Sequence, residues 1–280
     1  MTPADRFVTV NGLRLHYLEF GSPDLPVIVC VHGLTNNAHD FDRVAPHLAA
    51  NYRVIALDVR GRGDSEWGPA EQYNIPTYAG DVAAILAALS IERVSLIGNS
   101  MGGRVSLLYA AGHPGRVERI VLNDIGPSLD PAMTVRINSY VAQAPAEFAQ
   151  YNEVVRYYER DASMAGLAGH AGEAMRECAR WTVKKQPNGR LTWKIDPALR
   201  RSTAGQTAIR PLDLWSQFEA LTTPVLIVRG GASDVLSEAM AQRMREAGQN
   251  VRLAEIAGVG HVPSLIEPEA LAALREFFSL

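Results

Sequence analysis

Read from one end to the other, the sequence predicts an α/β protein, a mostly parallel sheet covered by helices on both faces and interrupted by an inserted helical segment. Three observations support this. Unbroken apolar, β-branched runs recur at 27–31 (VIVCV), 53–57 (RVIAL), 93–98 (RVSLIG), 119–123 (RIVLN) and 224–230 (PVLIVRG), as expected of strands buried on both faces. Helix-like stretches at 40–49, 77–89 and 101–112 separate the first four runs, and strand–helix alternation through short loops gives right-handed crossovers in a parallel sheet. The rhythm stops after Asp124 and resumes at Pro224.

The remaining elements follow in order. Runs at 7–10 and 13–20 flank Asn11-Gly12, a hairpin signal that predicts two antiparallel edge strands. Gly112-His113-Pro114 stops the helix at 101–112. From 125 to 221 the apolar period is helical, at 135–142, 146–161 and 173–184, with a turn at Pro187-Asn188-Gly189 and no buried-strand run. A helix at 238–247, a strand at 251–256 and an amphipathic helix at 268–278 close the chain. The expected division is one discontinuous core, 1–124 and 222–280, with 125–221 as a helical cap. A length of 280 residues would also suit two sequential domains, but the broken rhythm favours the insertion.

Composition narrows the function. With 27 Lys+Arg against 30 Asp+Glu the net charge is −3 and no basic run exists, so the footprint of a nucleic-acid binder is missing. Cys30 and Cys178 stand alone, without CxxC or a spaced framework, which fits a reducing compartment. The opening MTPADRFVTVNG has no basic segment leading into an apolar core, and no run of eighteen apolar residues occurs. The expectation is a cytoplasmic protein without a membrane span.

The sharpest chemical signal is Gly98-Asn99-Ser100-Met101-Gly102, G-x-S-x-G placed where a buried strand gives way to a helix. So tight a turn needs small flanking residues, and it lifts the Ser100 hydroxyl to a helix N-terminus that favours negative charge. A serine hydroxyl needs a histidine base and an acid to orient it. His261 follows the strand 251–256 in the loop GVGH, and Asp234 follows 224–230 in the loop GGASD; both sit at carboxyl strand ends, where sites of open α/β sheets assemble. Ser100, Asp234, His261 is the expected order. Asp124 also ends a strand and is the rival to Asp234 as the acid. His32, ahead of the nucleophile, reads as a loop organiser. The oxyanion donors are expected to be the backbone N–H groups of Met101 and Leu34.

The strings PVIVCVHGLTNNAHDFDRVAPHL, VIALDVRGRGDS, GNSMGG, LIVRGGASDVLS and GVGHVPSLIEPEAL resemble the α/β-hydrolase superfamily over nearly the whole chain outside the insertion. The resemblance implies the α/β-hydrolase fold, Ser100 as nucleophile, His261 as base, Asp234 as acid, Leu34 and Met101 as oxyanion donors, and a cap formed by the insertion. The loop 58–65 (DVRGRGDS) matches a family loop assigned to structure. Haloalkane dehalogenases and epoxide hydrolases carry aspartate at the elbow, so Ser100 points away from both. GNSMGG resembles hydrolases that cleave carbon–carbon bonds of ring-fission products, but Val262-Pro263-Ser264 lacks their tryptophan-rich continuation. LNDIGP with Arg136 and Tyr140 is similar to bacterial hydrolases and enol-lactonases. The expected substrate is a small carboxylic ester or lactone, with no nucleic acid or membrane as partner. Arg136, Tyr140 and Trp181 are the candidate substrate contacts, although Tyr140, Tyr151, Tyr157, Tyr158, Trp181 and Trp193 would equally serve to pack the cap. No HExxH, Walker loop or GxGxxG is present, and the expected chemistry needs neither metal nor cofactor. A single-turnover ligand receptor on the same fold is the alternative outside enzymes.

Overall fold

Successive side chains of a strand point to opposite faces, and here each face has its own core. The computed structural model describes residues 2–164, 166–201 and 212–280; residues 165 and 202–211 of the expected cap lie outside the described residues. In β3 (Val27–Val31) and β4 (Arg53–Leu57), Val29, Val31, Ile55 and Leu57 join one core with α2 (Ile75–Ala88) and α3 (Met101–Gly112). Ile28, Cys30, Val54 and Ala56 join the other with α1 (Ala45–Leu48) and α10 (Pro268–Phe278). Cys30 is thus a core residue, and burial pushes its thiol up.

The main sheet has eight strands in the order β1-β2-β4-β3-β5-β6-β10-β11, where β1 is Ala4–Val10, β2 Leu13–Phe20, β5 Val94–Asn99, β6 Val117–Asn123, β10 Val225–Gly230 and β11 Val251–Ile256. As expected, β1 and β2 form an antiparallel hairpin, turned by Asn11 (φ 51°) and Gly12 (φ 77°). β2 is also antiparallel to β4, and every further pairing is parallel. β5 lies between β3 and β6 with Gly98 opposite both Val31 and Leu122. The carboxyl ends of these three strands therefore converge.

The stretch 40–49 is not one helix. A 3-10 turn, Ala38–Phe41, precedes α1, because Pro46 lacks an N–H and its ring would meet the carbonyl of Asp42 in a continuous helix.

Between β6 and β10 the chain leaves the main sheet. It forms α4 (Pro131–Ala142), α5 (Tyr151–Arg160), α6 (Glu173–Thr182), α7 (Pro197–Arg201) and α8 (Trp215–Glu219). The all-helical expectation needs correcting here. β7 (Glu147–Phe148), β8 (Val183–Lys185) and β9 (Leu191–Trp193) make a small antiparallel sheet, with 187–189 in the connection between β8 and β9. Two- and three-residue strands are too short to alter an apolar period, and β8 continues directly from α6. Phe148, Tyr157 and Trp193 pack edge-on with ring centroids 5.0 to 6.3 Å apart. The segment is tied to the core where the Asp196 N–H donates to the Gly61 carbonyl (2.8 Å) and Arg62 bridges to Ile195. No helix among the described residues is long and apolar enough to cross a membrane.

Candidate active site

The turn from β5 into α3 is held by glycine contacts. A Cβ on Gly98 would lie 2.4 Å from the Gly102 backbone, and one on Gly102 would lie 1.9 Å from the Val31 carbonyl oxygen. Only glycine permits this approach. Ser100, at the bend, has φ 49° and ψ −114°, a backbone conformation that a side chain adopts only where the surroundings enforce it. Here the Ser100 N–H donates to the Asn123 carbonyl (3.0 Å) and the Gly103 N–H to the Ser100 carbonyl (2.9 Å). Asn123 braces the same corner, since its amide donates to Asn99 Oδ1 and to the Pro263 carbonyl, both at 2.9 Å.

The loop after β11 brings His261 to this serine. Nε2 lies 2.9 Å from Ser100 Oγ, and Nδ1 lies 2.7 Å from Asp124 Oδ2. His261 is buried and Asp124 is wholly enclosed. Asp124 also accepts the Gly230 N–H (2.9 Å) and the Ser233 hydroxyl. The bent backbone that turns this side chain inward has φ 56°.

Asp234 does not reach His261, which corrects the sequence expectation. Its carboxylate accepts from the Arg136 guanidinium and from Ser163 Oγ (2.9 Å) and stays about one-third exposed. The loop GGASD does serve the site, but through Ser233 and the start of the loop rather than through its aspartate. Both acids follow the serine and precede the histidine, so chain order could not separate them.

Leu34 and Met101 lie beside Ser100 along one cavity of ≈ 390 Å³. Gly33 backs directly onto the elbow: a Cβ there would stand 3.9 Å from Ser100 Cβ. His32 fixes this loop. Its Nδ1 is 2.6 Å from the Gly33 carbonyl, and Nε2 accepts the Val59 N–H at 3.0 Å. Burial pushes its imidazole down to about 4, so it is a neutral brace. The cavity walls are mostly apolar, with Ile75, Ile125, Leu129, Ile137, Val141 and Met164.

The three expected substrate contacts lie elsewhere. Arg136 is half exposed and ion-paired with Asp234 and Asp161. Trp181 is exposed and stacks on His39 with centroids 3.8 Å apart. Tyr140 lines a smaller adjoining space with Tyr157, Tyr158 and Trp193. Each is used by packing or pairing, as side chains of a small layer must be to hold it together.

Asp40 and Asn36 were not anticipated. Both line the cavity, and the Asn36 amide donates to Asp40 Oδ2 (3.1 Å). Burial pushes the Asp40 carboxyl up to about 7, against the pull of Asn36, Asn99 and the Gly33 N–H. Within HGLTNNAHDF no spacing marks these residues, because the loop that aims Asn36 and the four-residue 3-10 turn that aims Asp40 are too short to show a period. His16, Asp58 and Asp64 place potential ligand atoms within 4.8 Å of one another. Asp58 is already committed there, accepting from the N–H groups of Ala38 and Asp64 (2.7 Å each) and pairing with His16.

Comparison with known proteins agrees with this fold. A sequence model for the α/β hydrolase fold matches residues 26–268. A 3-hydroxybutyrate-oligomer hydrolase from Cupriavidus necator is 37% identical over 275 residues, covering 95% of this chain and 93% of that protein. N-formylmaleamate deformylase from Pseudomonas putida is 30% identical over 260 residues, 91% of this chain and 88% of that one. The crystal structure of an α/β hydrolase from Novosphingobium aromaticivorans has a TM-score of 0.89 at 34% identity, over 100% of this chain and 99% of that chain.

Proposed function

The chain belongs to the α/β-hydrolase fold family, and from that premise we propose that it is a serine hydrolase cleaving small carboxylic esters or lactones through an acyl-enzyme on Ser100. The observation that carries this is the continuous line Ser100 Oγ, His261 Nε2, His261 Nδ1, Asp124 Oδ2, with 2.9 and 2.7 Å at its two hydrogen bonds, ending at a largely apolar cavity. Asp124 holds the imidazole in the tautomer with the proton on Nδ1, leaving Nε2 free to take the serine proton. Ser100 Oγ attacks the carbonyl carbon, and the Leu34 and Met101 N–H groups receive the oxyanion. Collapse breaks the ester C–O bond, and His261 returns the proton to the leaving alkoxide. Water then loses a proton to His261 and releases the acid, restoring Ser100.

Residues 125–221 act as the cap, and α4 carries Ile137 and Val141 into the cavity wall. A cavity of ≈ 390 Å³ suits an acyl chain of several carbons. The relative acting on 3-hydroxybutyrate oligomers makes short hydroxy-acid esters the first substrates to try. The deformylase relative supports a second reading, hydrolysis of an activated amide by the same serine chemistry.

The test is a graded series of p-nitrophenyl esters with 3-hydroxybutyrate dimer and trimer alongside, and a fluorophosphonate probe. Ser100→Ala should abolish labelling and lower kcat by about 10⁵- to 10⁶-fold. Hydrolysis persisting in that variant would exclude the nucleophile assignment, and a single stoichiometric burst without turnover would indicate a receptor.

A further inference from the structure

Two arginines of the loop 58–65 are buried, and they are solved differently. Arg60 pairs with the Asp81 carboxylate through two of its nitrogens. Arg62, fully enclosed, has only neutral hydrogen-bond partners among the described residues. Its Nε donates to the Leu34 carbonyl (3.1 Å), Nη1 to the Arg60 carbonyl (3.1 Å) and to Tyr78 Oη (2.7 Å), and Nη2 approaches Met101 Sδ (3.8 Å). Its guanidinium also faces the Tyr78 ring, 5.0 Å from the centroid. Among the described residues no carboxylate pairs with it. A buried cation without a counter-ion carries a desolvation penalty that neutral acceptors offset only in part. A purely structural loop would be served as well by an apolar side chain there.

The partners explain the placement. Two of them, Leu34 and Met101, are the residues whose N–H groups receive the oxyanion in the mechanism above, and both line the cavity beside Ser100. We propose that Arg62 is the positioning residue of the oxyanion hole: it anchors Leu34 through the carbonyl of the peptide that follows the donor N–H, packs the first residue of α3, and sets an unneutralised positive charge beside both donor residues. This inference rests on the serine-hydrolase reading. The arginine is itself braced from the intervening segment by its bridge to Ile195 and by the neighbouring hydrogen bond from Asp196 to Gly61. The tetrahedral anion, more than the neutral ester, gains from such a charge.

The test compares wild type, Arg62→Gln and Arg62→Lys with p-nitrophenyl butyrate and with an aryl trifluoromethyl ketone, which adds reversibly to the serine as a tetrahedral oxyanion. Arg62→Gln should lose about 10- to 100-fold in kcat with KM within about threefold, and ketone affinity should fall in proportion to kcat/KM. Arg62→Lys, which keeps the charge but not the fork, should recover part of both. Arg62→Gln with kcat and ketone affinity within threefold of wild type overturns the proposal, as does a loss of kcat that leaves ketone affinity intact. Should Arg62→Gln fail to fold, Arg62→Lys decides alone: wild-type kcat and ketone affinity in a folded lysine variant overturn it. A wild-type protein that neither turns over the ester nor binds the ketone defeats the hydrolase reading itself, before any Arg62 variant is made.

Discussion

Asp124 and Asp234 follow neighbouring strands, β6 and β10, yet they meet opposite fates. Asp124 is enclosed, and it gathers the Gly230 N–H, the Ser233 hydroxyl and the His261 ring. Asp234, one-third exposed, is paired with Arg136 and Ser163. What fits a carboxylate to orient a histidine is enclosure together with donors that hold its oxygens in place. A place at a strand end is shared by both and decides nothing.

The contrast can be tested by exchanging one atom on each acid. Asp124→Asn should lower kcat by about 10⁴-fold, because the amide would favour the wrong imidazole tautomer, whereas Asp234→Asn should stay within about threefold of wild type. Steady-state kinetics with a p-nitrophenyl ester measures both, and the reverse pattern would return the acid's role to Asp234. Removing a donor is the next step down. Ser233→Ala leaves Asp124 with one hydrogen bond fewer, and a bond to a charged group contributes about 1.5–3 kcal/mol, so kcat should drop on the order of tenfold.

Asp40 supplies a third environment, half-buried in the cavity wall and with no ion-pair partner among the described residues. Its folded value of about 7 stands above the unfolded value of 3.8, so between these the folded state holds a proton that the unfolded state has released. Stability from this group is therefore present below about pH 4 and is lost as pH rises towards and through 7. His32, lowered to about 4 from 6.5, acts in the opposite sense over pH 4–6.5, and it cancels when wild type is compared with Asp40→Asn. Urea midpoints at pH 4.5, 6 and 7.5 should shift in favour of Asp40→Asn as pH rises, and parallel curves would contradict the account. The smallest effect belongs to the exposed pair: Arg136→Ala should cost no more than about 1 kcal/mol in stability, with kcat near wild type, read by thermal unfolding and the same ester assay.

The sequence carried the parallel sheet clearly, because strands buried on both faces leave runs such as VIVCV and RVIAL that no surface element produces. The elbow was equally legible, since Gly98 and Gly102 are required by contacts that tolerate no Cβ. The choice of acid was not. It depends on a positive φ at Asp124 and on where a distant loop delivers Ser233, both consequences of three-dimensional closure. The small sheet β7-β9-β8 was missed for a different reason: its strands are shorter than any period, and long-range pairing, as of Glu147 with Thr192, holds them. Arg62 sits in an irregular loop and Asp40 in a single 3-10 turn, where position is set by hydrogen bonds rather than by spacing.

The bond from Ser233 to Asp124 means that two loops, more than a hundred positions apart in the chain, reach the same point in space beside His261. The carboxylate therefore has two possible hosts. A paired exchange, Asp124→Ser with Ser233→Asp, would hand the acid to the other strand while keeping the hydroxyl opposite it. Such a swap outlines how a lineage could relocate this group in two substitutions without moving its serine or its histidine.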